Sequence, residues 1–431
     1  NRDIIENRER MCNVKMAAVT AQNVKSVVDR AVNEVRVTDV HTHLYPAEFG
    51  DMLLWGVDEL LNYHYLIAET FRFTDVGYDT FWKMTKKEQA DLIWKTLFLE
   101  NSPYSEACRG VLTVLNKLGL DPSSRDLDSY RSYFAGKTTE EYIDIVFEKA
   151  GIRQVVMTND PFDDQERHAW EKGRKKDKRF LAALRIDPLV IHWDTTWKRL
   201  KSWGYDVEQV LTEKTLAEVR RFLADWVQKI DAVYMAVSLE SDFRFPEDSA
   251  QGKLIENCVL PVCGEQDIPF ALMIGVKRQI NPDLKLAGDG VGKADINAVN
   301  YLCAHYPHNK FMVTMLSREN QHELCVTARK FRNLMIFGCW WFLNNPSLID
   351  EITRMRFELL GSSVIPQHSD ARVLDQLIYK WAHSRRIIAS VLSEKYRDLM
   401  DTGWVLTEEE IRRDVNKLFG GTFEEFLSKK F

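Results

Sequence analysis

One pattern constrains this chain more than any other: eight short apolar runs, most of them followed by a stretch with helical spacing. The runs are Val37–His41, Gln154–Thr158, Phe180–Ile186, Val233–Leu239, Pro269–Gly275, Phe311–Leu316, Met335–Cys339 and Ser363–Gln367. Several are nearly continuous in Val, Ile, Leu, Met and Phe, the composition of parallel strands covered on both faces. Of the helical stretches between them, Thr215–Ile230 is the clearest, with apolar residues every three or four positions. Eight such units predict an α/β chain folded as one (β/α)8 TIM-type barrel rather than several small domains. An open doubly wound sheet is the competing architecture.

Two segments exceed a minimal barrel. Residues 44–150, between the first and second strands, are rich in helical patterns such as Lys86–Leu99 and read as a large helical insertion above the barrel mouth. The tail 373–431, with Glu408–Phe419, reads as helical and packed against the outside. The domain division is then an N-terminal extension and helix at 1–34 and a single barrel domain at 35–431. Residues 1–15 read as an appendage, with Met16 as the natural start.

The 431 residues are 45% hydrophobic and carry a net charge of -6, which offers no basic footprint for nucleic acid. No run of about 18 apolar residues predicts a membrane span. The first residues are mixed in charge and lack the apolar core of a secretory signal. Seven scattered cysteines form no C-x-x-C pair, so neither a disulfide framework nor a thiolate zinc site is expected. These features predict a cytoplasmic protein.

Barrel enzymes place their chemistry at the C-terminal ends of the strands. The first strand ends in His41-Thr42-His43. Residues two apart on a strand share a face, so both imidazoles can aim at one ion, and imidazole suits zinc and other late first-row divalent metals. The eighth run ends in Gln367-His368-Ser369-Asp370. Asp370 can serve there as third metal ligand, general base or both; the plainer alternative is a cap for the helical run Val373–Trp381. Arg185, Arg318 and Arg372 follow the third, sixth and eighth strands. Converging guanidinium groups imply an anionic substrate or a developing oxyanion; the alternative is pairing with local acids such as Asp187 or Glu319. In Tyr63-His64-Tyr65, His64 and Tyr65 are candidate proton carriers, against simple aromatic packing. Trp341 is a candidate wall for a sugar face. Gly288–Gly292 lacks the strand and helix of a phosphate loop and reads as a flexible loop near the mouth. The fourth strand carries no lysine to bridge two ions, so a single metal is expected.

His-x-His ending the first strand with Asp after the eighth resembles the amidohydrolase superfamily, whose barrels are of the metal-dependent hydrolase type. Within it the chain resembles uronate (glucuronate) isomerase, in a divergent bacillus-type branch. The matches are Thr38-Asp39-Val40-His41-Thr42-His43-Leu44, Tyr63-His64-Tyr65, Leu184-Arg185-Ile186-Asp187, Gly338-Cys339-Trp340-Trp341 and His368-Ser369-Asp370-Ala371-Arg372. One departure stands out. Many members have His-Ile-Gly on the fifth strand, where this chain has Met273-Ile274-Gly275. Methionine transfers no proton and is a poor ligand for a borderline ion. His41, His43 and Asp370 remain as the protein ligands.

The resemblance implies an aldose–ketose isomerase that interconverts D-glucuronate with D-fructuronate and D-galacturonate with D-tagaturonate, moving a proton between C2 and C1 through a cis-enediol. Asp370, Tyr65, His64 and Arg372 become the catalytic candidates, and Arg185, Arg318 and Trp341 the substrate-binding ones. One divalent metal, zinc ahead of manganese, is the expected cofactor, and NAD is not. The expected partner is a small hexuronate, with no nucleic acid and no membrane; a homo-oligomer is allowed. Competing readings are a mononuclear hydrolase of a carboxylate-bearing amide, ester or lactone, and a non-catalytic sugar-acid-binding barrel.

Overall fold

The computed structural model describes residues 19–173 and 177–431; the expectation about residues 1–15 and Met16 lies outside them. The apolar runs form strands β1 Val37–Thr42, β2 Ile152–Asn159, β3 Phe180–Arg185, β4 Ala232–Glu240, β5 Phe270–Lys277, the two-residue β6 Gly290–Val291, β7 Phe311–Met315 and β8 Leu334–Ile336. The main path runs β1-β2-β3-β4-β5-β7-β8 and is parallel throughout. This is a curled parallel sheet of the TIM-barrel kind, interleaved with helices.

The helix before β4 shows how sequence sets these units. Thr212 accepts a hydrogen bond from Thr215 N and starts the helix Glu213–Ile230, whose buried stripe includes Leu216, Val219, Phe222, Leu223, Trp226 and Val227. Asp231, at φ 57°, ends it in the left-handed conformation, and the chain turns directly into β4. A cap, an apolar stripe and a left-handed stop are what such a unit requires.

Three expectations need correction. Ser363–Gln367 is not a full strand: it is extended but makes one bridge, Ile365 to Phe337. Pro366 has no N–H to continue a ladder. The segment nevertheless joins the two ends of the sheet, because Gly338 N donates to Ile365 O at 2.8 Å, Asp370 N to His41 O at 3.1 Å and His43 N to Ala371 O at 2.8 Å. Gly288–Gly292 is not a free loop, since Val291 and Gly290 pair antiparallel with Val276 and Lys277 of β5. The tail, third, does more than pack outside. Its last helix, Thr422–Ser428, buries Phe423 and Phe426 among Val40, Val156, Tyr234 and Met273, inside the ring of strands. An apolar barrel interior must be covered at both ends, and these two rings cover one of them.

Residues 44–150 hold several helices, from Val57–Leu61 to Thr139–Ala150. The longest helix, Gln376–Asp401, lies against Val24–Glu34 and Pro346–Leu360. No helix among the described residues is long and apolar enough to cross a membrane.

Candidate active site

His41 and His43 emerge on one side of β1 at its C-terminal end. Behind His41, Nδ1 lies 3.1 Å from the Tyr234 hydroxyl. Behind His43, Nδ1 lies 2.8 Å from the Thr158 hydroxyl. In front, Asp370 Oδ1 lies 3.6 Å from His41 Nε2 and 3.2 Å from His43 Nε2. One ligand atom from each of the three residues falls within 4.8 Å of the others. Burial pushes His41 down to about 3 and His43 well below the usual imidazole range, with Arg372 and Arg185 adding to the shift of His43. Both rings are therefore uncharged at neutral pH and keep a lone pair.

Asp370 sits in the left-handed region at φ 51°, a conformation that costs roughly 1–2 kcal/mol for a residue with a side chain. Its neighbours hold it there. Asp370 N donates to His41 O. Ser369 N donates to Asp39 Oδ1 at 3.0 Å, and the buried Lys380 Nζ donates to Ser369 O at 2.7 Å. The cap reading of Asp370 is excluded, because the following helix begins at Gln376. Among the described residues Asp370 Oδ1 is buried without a hydrogen-bond partner. A buried, unpartnered carboxylate oxygen facing two neutral imidazoles is a donor set that fits one divalent ion.

Around this cluster lies a narrow cleft lined by His64, Arg185, Arg278, Trp340, Trp341 and Arg372 together with the three candidate ligands. A larger, more open hollow shares Arg185, Ser238, Arg278 and Leu286 with it. Arg185 is held by Asp187, through Nη2 to Oδ1 and Nε to Oδ2, each at 3.1 Å. The local-acid alternative thus describes Arg185 correctly, yet the guanidinium still faces the cavity. Arg318 does not reach it. That side chain is exposed and pairs with Glu351 at 2.9 Å, not with Glu319.

His64 lines the cleft, its Nε2 buried and without a partner among the described residues, and burial pushes the imidazole down to about 3. The Tyr65 ring stacks edge-on 4.6 Å from His64. Its hydroxyl is buried without a hydrogen-bond partner among the described residues, and burial holds it well above the usual phenol range. Trp341, at φ 47°, presents its ring 5.7 Å from His64.

Four residues at the site escaped the sequence reading. Arg278 follows β5, and Asp289 Oδ2 accepts from its Nη1 at 2.8 Å; its place just past a strand end was the available signal. Tyr234 and Thr158 lie within strands and carry no motif. The His368 ring packs 5.2 Å from His41, with both nitrogens buried and without a hydrogen-bond partner among the described residues; it lies inside a motif read for its aspartate.

A ring of parallel strands that gathers two histidines, an aspartate and three arginines at one mouth defines a barrel enzyme with a candidate metal centre. No protein-family model matches the chain, and no curated protein matches it. Solved structures do. The chain is 57% identical to a uronate isomerase from Bacillus halodurans C-125, covering 96% of this chain and 98% of that one with a TM-score of 0.94. It therefore belongs to the uronate isomerase family. A uronate isomerase from Thermotoga maritima is similar at 15% identity and TM-score 0.76, over 93% of this chain and 97% of that one. A glucuronate isomerase from Caulobacter crescentus is similar at 13% identity and TM-score 0.74, over 95% of each chain. At such identities the likeness is one of fold.

Proposed function

We propose that the chain is an aldose–ketose isomerase of hexuronates, interconverting D-glucuronate with D-fructuronate and D-galacturonate with D-tagaturonate. The observation that carries this reading is the 57% identity, over nearly the whole of both chains, to a uronate isomerase. The proton on C2 is a weak acid until charge on the neighbouring oxygen is stabilised, and a carrier must then move that proton to C1. Arg372 and Arg185 hold substrate oxygens or the enediolate at the cavity wall, and Arg278 adds a third guanidinium at the rim. Asp370 takes a proton from a substrate hydroxyl during ring opening. Tyr65 and His64 carry the proton between C2 and C1. Burial leaves both His64 and Tyr65 uncharged at rest. Trp341 walls the sugar face. A divalent ion held by His41, His43 and Asp370, zinc ahead of manganese, would supply positive charge to anchor and polarise substrate oxygens. The proton moves within the substrate, so no NAD is called for.

In the same reading residues 1–34 are an extension and helix, and 35–431 one barrel domain with its insertion at 44–150. Among the described residues six cysteines are buried and free, which accords with a reducing, cytoplasmic setting. The test is incubation of the zinc-supplied protein with D-glucuronate and with D-galacturonate. Ketose should form from at least one of them; no ketose from either would overturn the proposal.

A further inference from the structure

The backs of the two candidate ligand histidines show how each imidazole is kept ready. A hydroxyl has one proton to give and two lone pairs to offer. Tyr234 is wholly buried. Its hydroxyl donates to the carbonyl of Val40 at 2.8 Å, so only lone pairs remain for His41 Nδ1 at 3.1 Å. That nitrogen must bring the proton. Thr158, also buried, repeats the arrangement: its hydroxyl donates to Thr42 O at 3.0 Å and meets His43 Nδ1 at 2.8 Å. The pairing of β1 with β2 slips by one residue between Asp39 and Thr42, at the stretch that carries the Val40 carbonyl.

We infer that Tyr234 and Thr158 are positioning residues that lock His41 and His43 as the Nδ1–H tautomer, so that both Nε2 lone pairs face Asp370. The inference rests on the reading of His41, His43 and Asp370 as metal ligands. The other tautomer would direct Nε2–H at the Asp370 carboxylate and leave no lone pair for a cation. It would also require each hydroxyl to abandon its backbone carbonyl. Partners that orient a ligand histidine in this way are worth about 10–100-fold in metal affinity. The two hydroxyls come from different strands, β4 and β2, so each ring is fixed independently of the other.

The test uses the full chain labelled with 15N at histidine and stripped of metal. Long-range proton–nitrogen spectra should show His41 and His43 protonated at Nδ1. Tyr234→Phe should move the His41 proton to Nε2, and Thr158→Val should do the same for His43, while Thr158→Ser should restore the wild-type pattern. In competition with a chromogenic chelator, zinc affinity should fall about 10–100-fold in the Phe and Val variants and return in the Ser variant. Bare Nδ1 atoms in the wild-type protein overturn the inference without any variant. So does zinc affinity unchanged in both Tyr234→Phe and Thr158→Val. Zinc bound as tightly by His43→Ala as by wild type would overturn the metal-centre reading instead, and the ring spectra separate that failure from this one.

Discussion

His43 Nε2 lies 3.2 Å from Asp370 Oδ1, so the end of the first strand meets the segment that closes the sheet at a single carboxylate oxygen. Among the described residues no group hydrogen-bonds that oxygen, and the left-handed backbone at Asp370 aims it. Asp370→Asn preserves the shape but removes both the charge and the basicity. Turnover should fall by about a thousandfold or more, the upper part of the range for loss of a general base, with the thermal melt and circular dichroism unchanged. Near-wild-type ketose formation would show that the base lies elsewhere.

Tyr65 carries a buried hydroxyl beside His64 and is expected to take part in the proton's passage from C2 to C1. Tyr65→Phe should slow loss of label from C2-deuterated hexuronate by about 100-fold. An unchanged washout rate excludes it.

Arg278 and Arg318 offer a matched contrast. The first lines the cavity and is braced by Asp289; the second pairs with Glu351 at the surface. A charge-assisted hydrogen bond to substrate is worth about 1.5–3 kcal/mol. Arg278→Ala should therefore lower kcat/KM roughly 10–100-fold, mainly through KM, while Arg318→Ala should stay close to wild type because exposed pairs contribute little. Equal losses in the two variants would contradict the placement of Arg278 at the substrate.

Gly338 has φ 71°, and a Cβ there would fall 1.9 Å from Cδ2 of His368. His368 is wholly buried against His41 and has little room to withdraw. Gly338→Ala combines backbone strain with overpacking and should cost roughly 2–5 kcal/mol, read by denaturant unfolding. A loss under about 0.5 kcal/mol, the scale of an ordinary surface change, would mean the histidine can move.

Glu166 accepts from Asp160 N at 3.0 Å, Asn159 Nδ2 at 2.6 Å and the Tyr45 hydroxyl at 3.1 Å, yet burial pushes its carboxyl up to about 7. The folded protein therefore holds this proton more tightly than the unfolded chain, whose value is near 4.5. The resulting stability is fully present below about pH 4.5 and is lost as pH rises through about 7. Glu166→Gln cannot titrate. The melting temperature of wild type minus that of the variant should decline between pH 4.5 and 8 at fixed ionic strength; a flat difference would mean that Glu166 ionises at its usual value.

The strands were the most legible part of the chain. A strand covered on both faces must be apolar at nearly every position, so β4, β5 and β7 announced themselves, as did the striped helix Glu213–Ile230. Closure was harder to read. Ser363–Gln367 has strand composition, but Pro366 limits it to one bridge, and its hold on β1 comes from polar and backbone groups near Ser369 and Asp370.

Sequence by itself determined the kinds of residue available: the His41/His43 spacing, a carboxylate near the last run, and arginines past strand ends. These follow from local chemistry and strand alternation, which a linear pattern records. Tertiary structure alone decided which of them meet. It brought Arg278 to the cavity and left Arg318 outside, placed Tyr234 and Thr158 behind the imidazoles, and set Phe423 and Phe426 inside the ring. Such pairings depend on distances between strands far apart in the chain. No local periodicity encodes them, because they are fixed only when the sheet curls and its two ends meet.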